Sequence, residues 1–260
     1  MSIVTPGQRM EALSVESTQN AGDKWRLLYR VGGATALLSV VVVALAIGVF
    51  LLWPPPSAMT DWFALFHRNG FLGLLDADLL LVVSYALTIP FYLALFVALR
   101  RANQSLMVIA LTFSLLGAAL ILSANPGVGM LTLSGQYAAA TSEAQRALYL
   151  AAGQAIYTNW SGSAFVLGYL FGGVATLLFS FAMLRSPAFG KTIGYVGLAM
   201  GVLMLVPASA GTVGLYVSLV SLAPTVVWLA LAALKLFALS GPFGVGGESF
   251  VVAHPRGRHA

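Results

Sequence analysis

Val31–Trp53 reads VGGATALLSVVVVALAIGVFLLW, without one charged residue. A helix needs about 20 apolar residues to cross a hydrocarbon core, and a helix of that length in a water-soluble domain would carry a polar face. This stretch has none. Five more runs share the property: Leu79–Leu99, Ser105–Ser123, Ala164–Leu184, Thr192–Ala210 and Val213–Leu234. The chain is 59% hydrophobic and 8% charged, with mean hydropathy +0.91, whereas about a quarter of the residues of a soluble domain are charged. A soluble core of this composition would lack a surface. The predicted fold is therefore an all-α membrane protein of six transmembrane helices.

Val31–Trp53 is longer than the h-region of a secretory signal, and the Pro54-Pro55-Pro56 after it offers no small-x-small cleavage site, so it reads as an uncleaved first helix. Cysteine is absent, which excludes a disulfide framework, thiolate metal sites and a cysteine nucleophile.

The net charge of +5 is placed rather than spread. Arg9, Lys24, Arg26 and Arg30 precede the first run, Arg100 and Arg101 follow the second, Arg185 and Lys191 follow the fourth, and Lys235, Arg256 and Arg258 follow the sixth. Only Arg68 and Arg146 fall in the alternate connections. The positive-inside rule then predicts cytoplasmic termini in a cell (inner) membrane. The lipid bilayer is the expected partner, and nucleic acid is not.

The chain divides into three regions: a flexible cytoplasmic leader over 1–26, whose aperiodic polar composition offers little to bury, the transmembrane domain over 27–240, and a basic tail over 241–260. Residues 54–72 and 128–162 are expected to form a short helical outer cap. Thr60-Asp61 starts one cap segment, with Trp62, Phe63, Leu65 and Phe66 at headgroup level. Ser142-x-x-Gln145 matches a capping box, and Ala144, Leu148, Ala151 and Ala155 form the apolar stripe of a helix running to about Thr158. Gly168 and Gly172 in the fourth run, and Gly194, Gly197 and Gly201 in the fifth, mark faces for close helix approach, within the chain or toward a second copy or membrane partner.

The segments ALRRANQSLMVIAL from Ala98, Ser123–Ala155 with its YAAATSEAQR core, and MLRSPAFGKTIGYVG from Met183 are similar to those of a bacterial integral membrane family, domain of unknown function 4386. The resemblance spans roughly residues 27–238. It implies a six-helix membrane fold and supplies no catalytic residue or cofactor.

Candidate chemistry collects on the outer side, at Asp76, Asp78, Tyr137, Glu143 and Arg146, with His67, Asn125, Gln136, Gln154 and Asn159 nearby in topology. If the second helix starts as early as Phe71, Asp76 and Asp78 lie in its first turns. They then either cap it or pair with Arg146, one of two outer basic residues. Two positions apart on one helix is about 200 degrees, so the two aspartates cannot share a metal ion there. No Gly-x-Ser-x-Gly elbow is present, and His254 and His259 lie in the tail, across the membrane from the aspartates. The sequence reads as a non-enzymatic component that binds a ligand or partner at its outer face. The alternative is a small-solute transporter, with Pro90 and Pro224 predicted to kink the second and sixth helices.

Overall fold

The computed structural model describes residues 6–207 and 210–241, with side chains from Lys24 onward. The basic tail beyond Gly241, including His254, Arg256, Arg258 and His259, lies outside the described residues, as does the side chain of Arg9. All regular structure described is helical: α1 (Pro6–Leu52), α2 (Met59–Arg68), α3 (Gly70–Asp76), α4 (Leu79–Leu99), α5 (Gln104–Ala124), α6 (Gly127–Ala139), α7 (Glu143–Asn159), α8 (Phe165–Leu184), α9 (Lys191–Leu203) and α10 (Gly211–Leu239). A π-helical turn, Trp160–Ala164, joins α7 to α8. The first helix begins at Pro6, a residue suited to a first helical position, so helical backbone extends through most of the segment whose composition predicted a flexible leader.

Helices α1, α4, α5, α8, α9 and α10 pack in that order as a closed ring, each against the next and α10 back against α1. Five helical stretches are long and apolar enough to cross a membrane. The sixth expected span is not among them: α9 has 13 residues, about 20 Å at 1.5 Å per residue. Its expected continuation to Ala210 is cut off by Pro207, because the residue before a proline is pushed out of helical geometry. The ring's outer surface is as apolar as its interior, with Leu38, Val41, Leu45, Val108, Ile109, Leu116, Val220 and Val227 all exposed. Such a belt belongs in hydrocarbon.

Both ends of the ring are defined by contacts. At one end Arg26 Nε donates to the Ser240 carbonyl at 3.1 Å, and the Arg100 guanidinium sits 5.2 Å from the Trp25 ring centre. The other end carries the cap of α2, α3, α6 and α7. Trp62, Phe63 and Phe66 are buried there against Met130, Tyr137, Tyr149 and Tyr157. They form a small core of their own within the cap.

Glycine sets the closest contacts. A Cβ on Gly117 of α5 would stand 2.9 Å from the Gly168 carbonyl oxygen, and one on Gly168 3.1 Å from that of Gly117. Gly194, Gly197 and Gly201 all face inward from α9, meeting Leu184, Ser180 with Trp228, and Leu177 respectively. The Gly197 contact is so close that any side chain there would collide with Ser180 Oγ and the Trp228 indole.

Gly197→Leu is therefore expected to lower stability in detergent by about 1–3 kcal/mol, as overpacking does, while Gly48→Leu, with nothing within 4 Å of its Cβ position, leaves it unchanged. Thermal melts of the two purified variants check this; equal melts would show that the α9 face yields.

Candidate functional site

The sequence expectation of one helix running from Phe71 through both aspartates does not hold. Asn69 ends α2 and begins α3, accepting from the Leu72 N–H at 3.1 Å. Asp76 is the last residue of α3, and Asp78 precedes α4 with φ 62, ψ 29. Asp78 is the one non-glycine residue with positive φ among those described, a left-handed conformation that aspartate tolerates better than most residues. Asn125 holds this break from the side. Its Nδ2 donates to the Ala77 carbonyl at 2.7 Å, while its Oδ1 accepts from the Gly127 N–H at 3.0 Å. The chain reversal expected at Asn125-Pro126-Gly127 thus also pins the aspartate turn.

Asp78 stands at the N-cap position but makes no side-chain cap bond. Its Oδ2 instead accepts from Trp160 Nε1 at 3.0 Å. Trp160 opens the π-helical turn, within which Gly162 leaves helical geometry (φ −97, ψ −130). The indole is buried, 4% exposed, and packs edge-on to Phe165 at 5.5 Å.

Around this bond lies a cavity of about 270 Å³, lined by Phe50, Pro55, Trp62, Asp76, Ala77, Asp78, Pro126, Tyr157, Trp160, Ser161 and Phe165. A smaller space of about 30 Å³, also lined by Asp76 and Asp78, adjoins the end of α1, room enough for water by the roughly 10–15 Å³ criterion. The helix break is what lets both aspartates face one cavity, against the divergence that a continuous helix would impose. Asp76 Oδ1 is buried and has no hydrogen-bond partner, and burial raises the Asp76 carboxyl above its ordinary range. Asp78 is crowded by protein atoms yet the residue is exposed, and it lines the cavity. Burial, opposed by the Trp160 N–H and reinforced by the Asp76 charge, pushes it up to about 6 from an ordinary 3.8.

The other expected site residues are elsewhere. Arg146 pairs with Glu143 at 3.1 Å in an exposed i,i+3 contact, and fourteen helical residues, about 21 Å at 1.5 Å per residue, separate it from Trp160. Arg146 is thus not the partner of Asp78. Tyr137 packs on Phe63 in the cap core, with ring centres 5.3 Å apart, and His67 is exposed at the end of α2. The capping box forms at α7, where Ser142 Oγ accepts from the Gln145 N–H and Gln145 Oε1 reaches back to the Thr141 N–H. However, Ala144, Leu148, Ala151 and Ala155 are exposed, and the packing face is Gly153, Ile156 and Tyr157, with Gly153 against Phe63. Trp160, Tyr157, Trp62 and Phe50 were not among the candidates. The one sequence signal for the first was Ser161-Gly162-Ser163, a break in an otherwise apolar helix.

Below the cavity the polar groups continue into the ring. Phe165 stacks on Tyr169 at 5.9 Å, the Tyr169 hydroxyl lies 3.4 Å from both Ser218 Oγ and Ser221 Oγ, and Tyr85 packs beside Trp160 and Phe165. Toward the end of the ring away from the cap, Leu99, Met107, Met183 and Leu236 are all fully buried in one cluster.

A ring of apolar helices with an aspartate-bearing cavity under its cap defines a multi-pass helical membrane protein with a candidate binding site. The chain belongs to the family described as Domain of unknown function (DUF4386), whose model matches residues 31–240. No curated protein and no solved structure matches it.

The Asp78 carboxyl holds its proton more tightly in the folded than in the unfolded state, so its contribution to stability is greatest below 3.8 and is lost as pH rises through about 6. Melting temperature in detergent should fall between pH 4 and 7, and Asp78→Asn, which keeps the left-handed backbone accessible, should flatten that fall. An undiminished fall in the variant would place the titrating group elsewhere.

Proposed function

We propose that this chain is a non-enzymatic component of a bacterial inner membrane that binds a small ligand in the cavity between its cap and its helix ring, with the cap outside and both termini in the cytoplasm. The cavity itself carries the reading. It brings together the end of α1, α2, the Ala77–Asp78 turn and the π-helical turn, so an occupant would touch four separate segments. Its lining includes aromatic residues, the hydroxyl-bearing Ser161 and Tyr157 and two aspartates, groups that hold a molecule by contact and charge. The volume, about 270 Å³, falls just short of the roughly 300–1,000 Å³ of drug-sized sites, which favours a small ligand. The orientation rests on basic residues: Lys24, Arg26, Arg30, Arg100, Arg101, Arg185, Lys191 and Lys235 stand at the end away from the cap, against Arg68 and Arg146 on it.

A second reading, a small-solute transporter, is favoured by the hydroxyls of Tyr85, Tyr169, Ser218 and Ser221 beneath the cavity and by Pro90 and Pro224 inside α4 and α10. Under that reading the cluster of Leu99, Met107, Met183 and Leu236 is a closed inner gate.

Two experiments test these readings. Reporters fused after Arg101, after Arg185 and at the C-terminus are expected to report cytoplasm, and one inserted at the exposed Thr141 the outside; a cytoplasmic signal at Thr141 inverts the topology. For the cavity, compounds that raise the melting temperature of the purified protein should lose their effect in Ser161→Phe, which fills the space from an exposed wall residue. Compounds that stabilise both proteins equally bind elsewhere, and uptake into proteoliposomes against a Ser161→Phe control separates transport from binding.

A further inference from the structure

The walls of the cavity specify more than a size. Asp76 and Asp78 are the charged residues among the eleven that line it, and both are acidic. Arg146, the basic residue expected to neutralise them, is held by Glu143 about 21 Å along α7 and its continuation. Asp76 Oδ1 is buried and receives no hydrogen bond, so no protein donor offsets its charge. The remaining wall is aromatic: Trp62 and Tyr157 form one ring pair with centres 5.8 Å apart, Trp160 and Phe165 a second, and Phe50 stands on α1.

Two carboxylates beside five aromatic rings suit a cation whose charge is spread over carbon-bound hydrogens, because ring faces attract such cations and a carboxylate supplies the counter-charge. A bare metal ion fits poorly. It needs several hard ligands converging within about 2–2.6 Å, and no group of three His, Asp or Glu side chains gathers among the described residues.

We propose that the cavity recognises an alkylammonium group, held by Asp76 and Asp78 against the rings of Trp62, Tyr157 and Trp160. This rests on the reading of the cavity as a ligand site. The group belongs either to a small free amine or to the headgroup of a phospholipid, and the experiment separates the two.

The full-length protein, depleted of lipid in detergent, is titrated with choline, with tetramethylammonium, and with 3,3-dimethylbutanol, the neutral isostere of choline. Choline and tetramethylammonium are expected to bind saturably and at least tenfold more tightly than the alcohol. Asp78→Asn and Asp76→Asn should each erase that preference while leaving the alcohol's weak binding in place. Equal affinity for choline and the alcohol would overturn the alkylammonium assignment yet leave the cavity a ligand site. Binding unaffected by Ser161→Phe would overturn the cavity reading itself, and the assignment with it. For the source, lipids retained through mild purification are measured by mass spectrometry. An amine-headed phospholipid that is retained by the wild type, lost from Ser161→Phe and displaced by choline identifies the headgroup. A retained lipid that choline does not displace, in a protein that binds no choline, overturns the assignment.

Discussion

The hydrogen bond from the Trp160 indole to Asp78 is the constraint on which the cap end of this molecule turns. It joins the start of α4 to the π-helical turn across 82 residues of sequence, and Asp78 is in an unusual backbone while Trp160 is helical. Asp78 is left-handed, a conformation of order 1–3 kcal/mol less favourable for a non-glycine residue, and it persists because Trp160 holds its carboxylate and Asn125 holds the preceding carbonyl. Within the π turn Gly162 leaves helical geometry, so the chain kinks between α7 and α8. The two helices thereby serve two environments: α7 packs on the cap through Gly153 and Ile156, and α8 packs on α5 and α9.

Those environments obey different rules. In the ring, helix and lipid are equally apolar, so hydrophobic burial does not choose a neighbour, and close approach does. Gly117 with Gly168, and Gly194, Gly197 and Gly201 against α8 and α10, let backbones meet at distances that any Cβ would forbid. Aromatic pairs fill the space so created, with Phe91 edge-on to Trp228 and Tyr92 stacked on Phe179, both pairs at 5.4 Å. The cap instead folds as a water-soluble element does: α2 buries Trp62, Phe63 and Phe66 and exposes Asp61, His67 and Arg68. The cavity lies at the seam between the two, where carboxylates can be both hydrated and close to aromatic walls.

How much of this was legible in the sequence depends on the physical quantity each signal reports. The absence of charge over about 20 residues is a statement about solvent, and it located α1, α4, α5, α8 and α10. The spacing of Gly194, Gly197 and Gly201 marked the packing face of α9, while Pro207 made that helix shorter than its apolar run. On α7 the apolar stripe, expected on the bundle or the membrane surface, is not the face that packs within the protein, and that inner face was decided by Gly153 fitting beneath Phe63. Asp76 and Asp78 stood out as rare charges near a span. Their partner did not: seeking a charge for a charge pointed to Arg146, whereas the structure supplies an indole, and nothing in Ala77-Asp78 announces a left-handed turn.

The electrostatics of the seam derive from that choice of partner. An arginine would have neutralised the carboxylate and held it ionised well below neutral pH. An indole N–H donates one hydrogen bond, which draws Asp78 down without offsetting its burial, so the carboxyl stands at about 6. Aromatic residues line the same cavity, and a ring face carries the negative side of its quadrupole, so a cation set against such a face meets the same sign of attraction as at the carboxylate. A proton satisfies only the carboxylate and does so at acid pH. A soft organic cation satisfies the carboxylate and the rings together, and it does so in the range where Asp78 is charged. An indole at position 160 thus leaves the cavity with two acidic residues and no basic one among the eleven that line it.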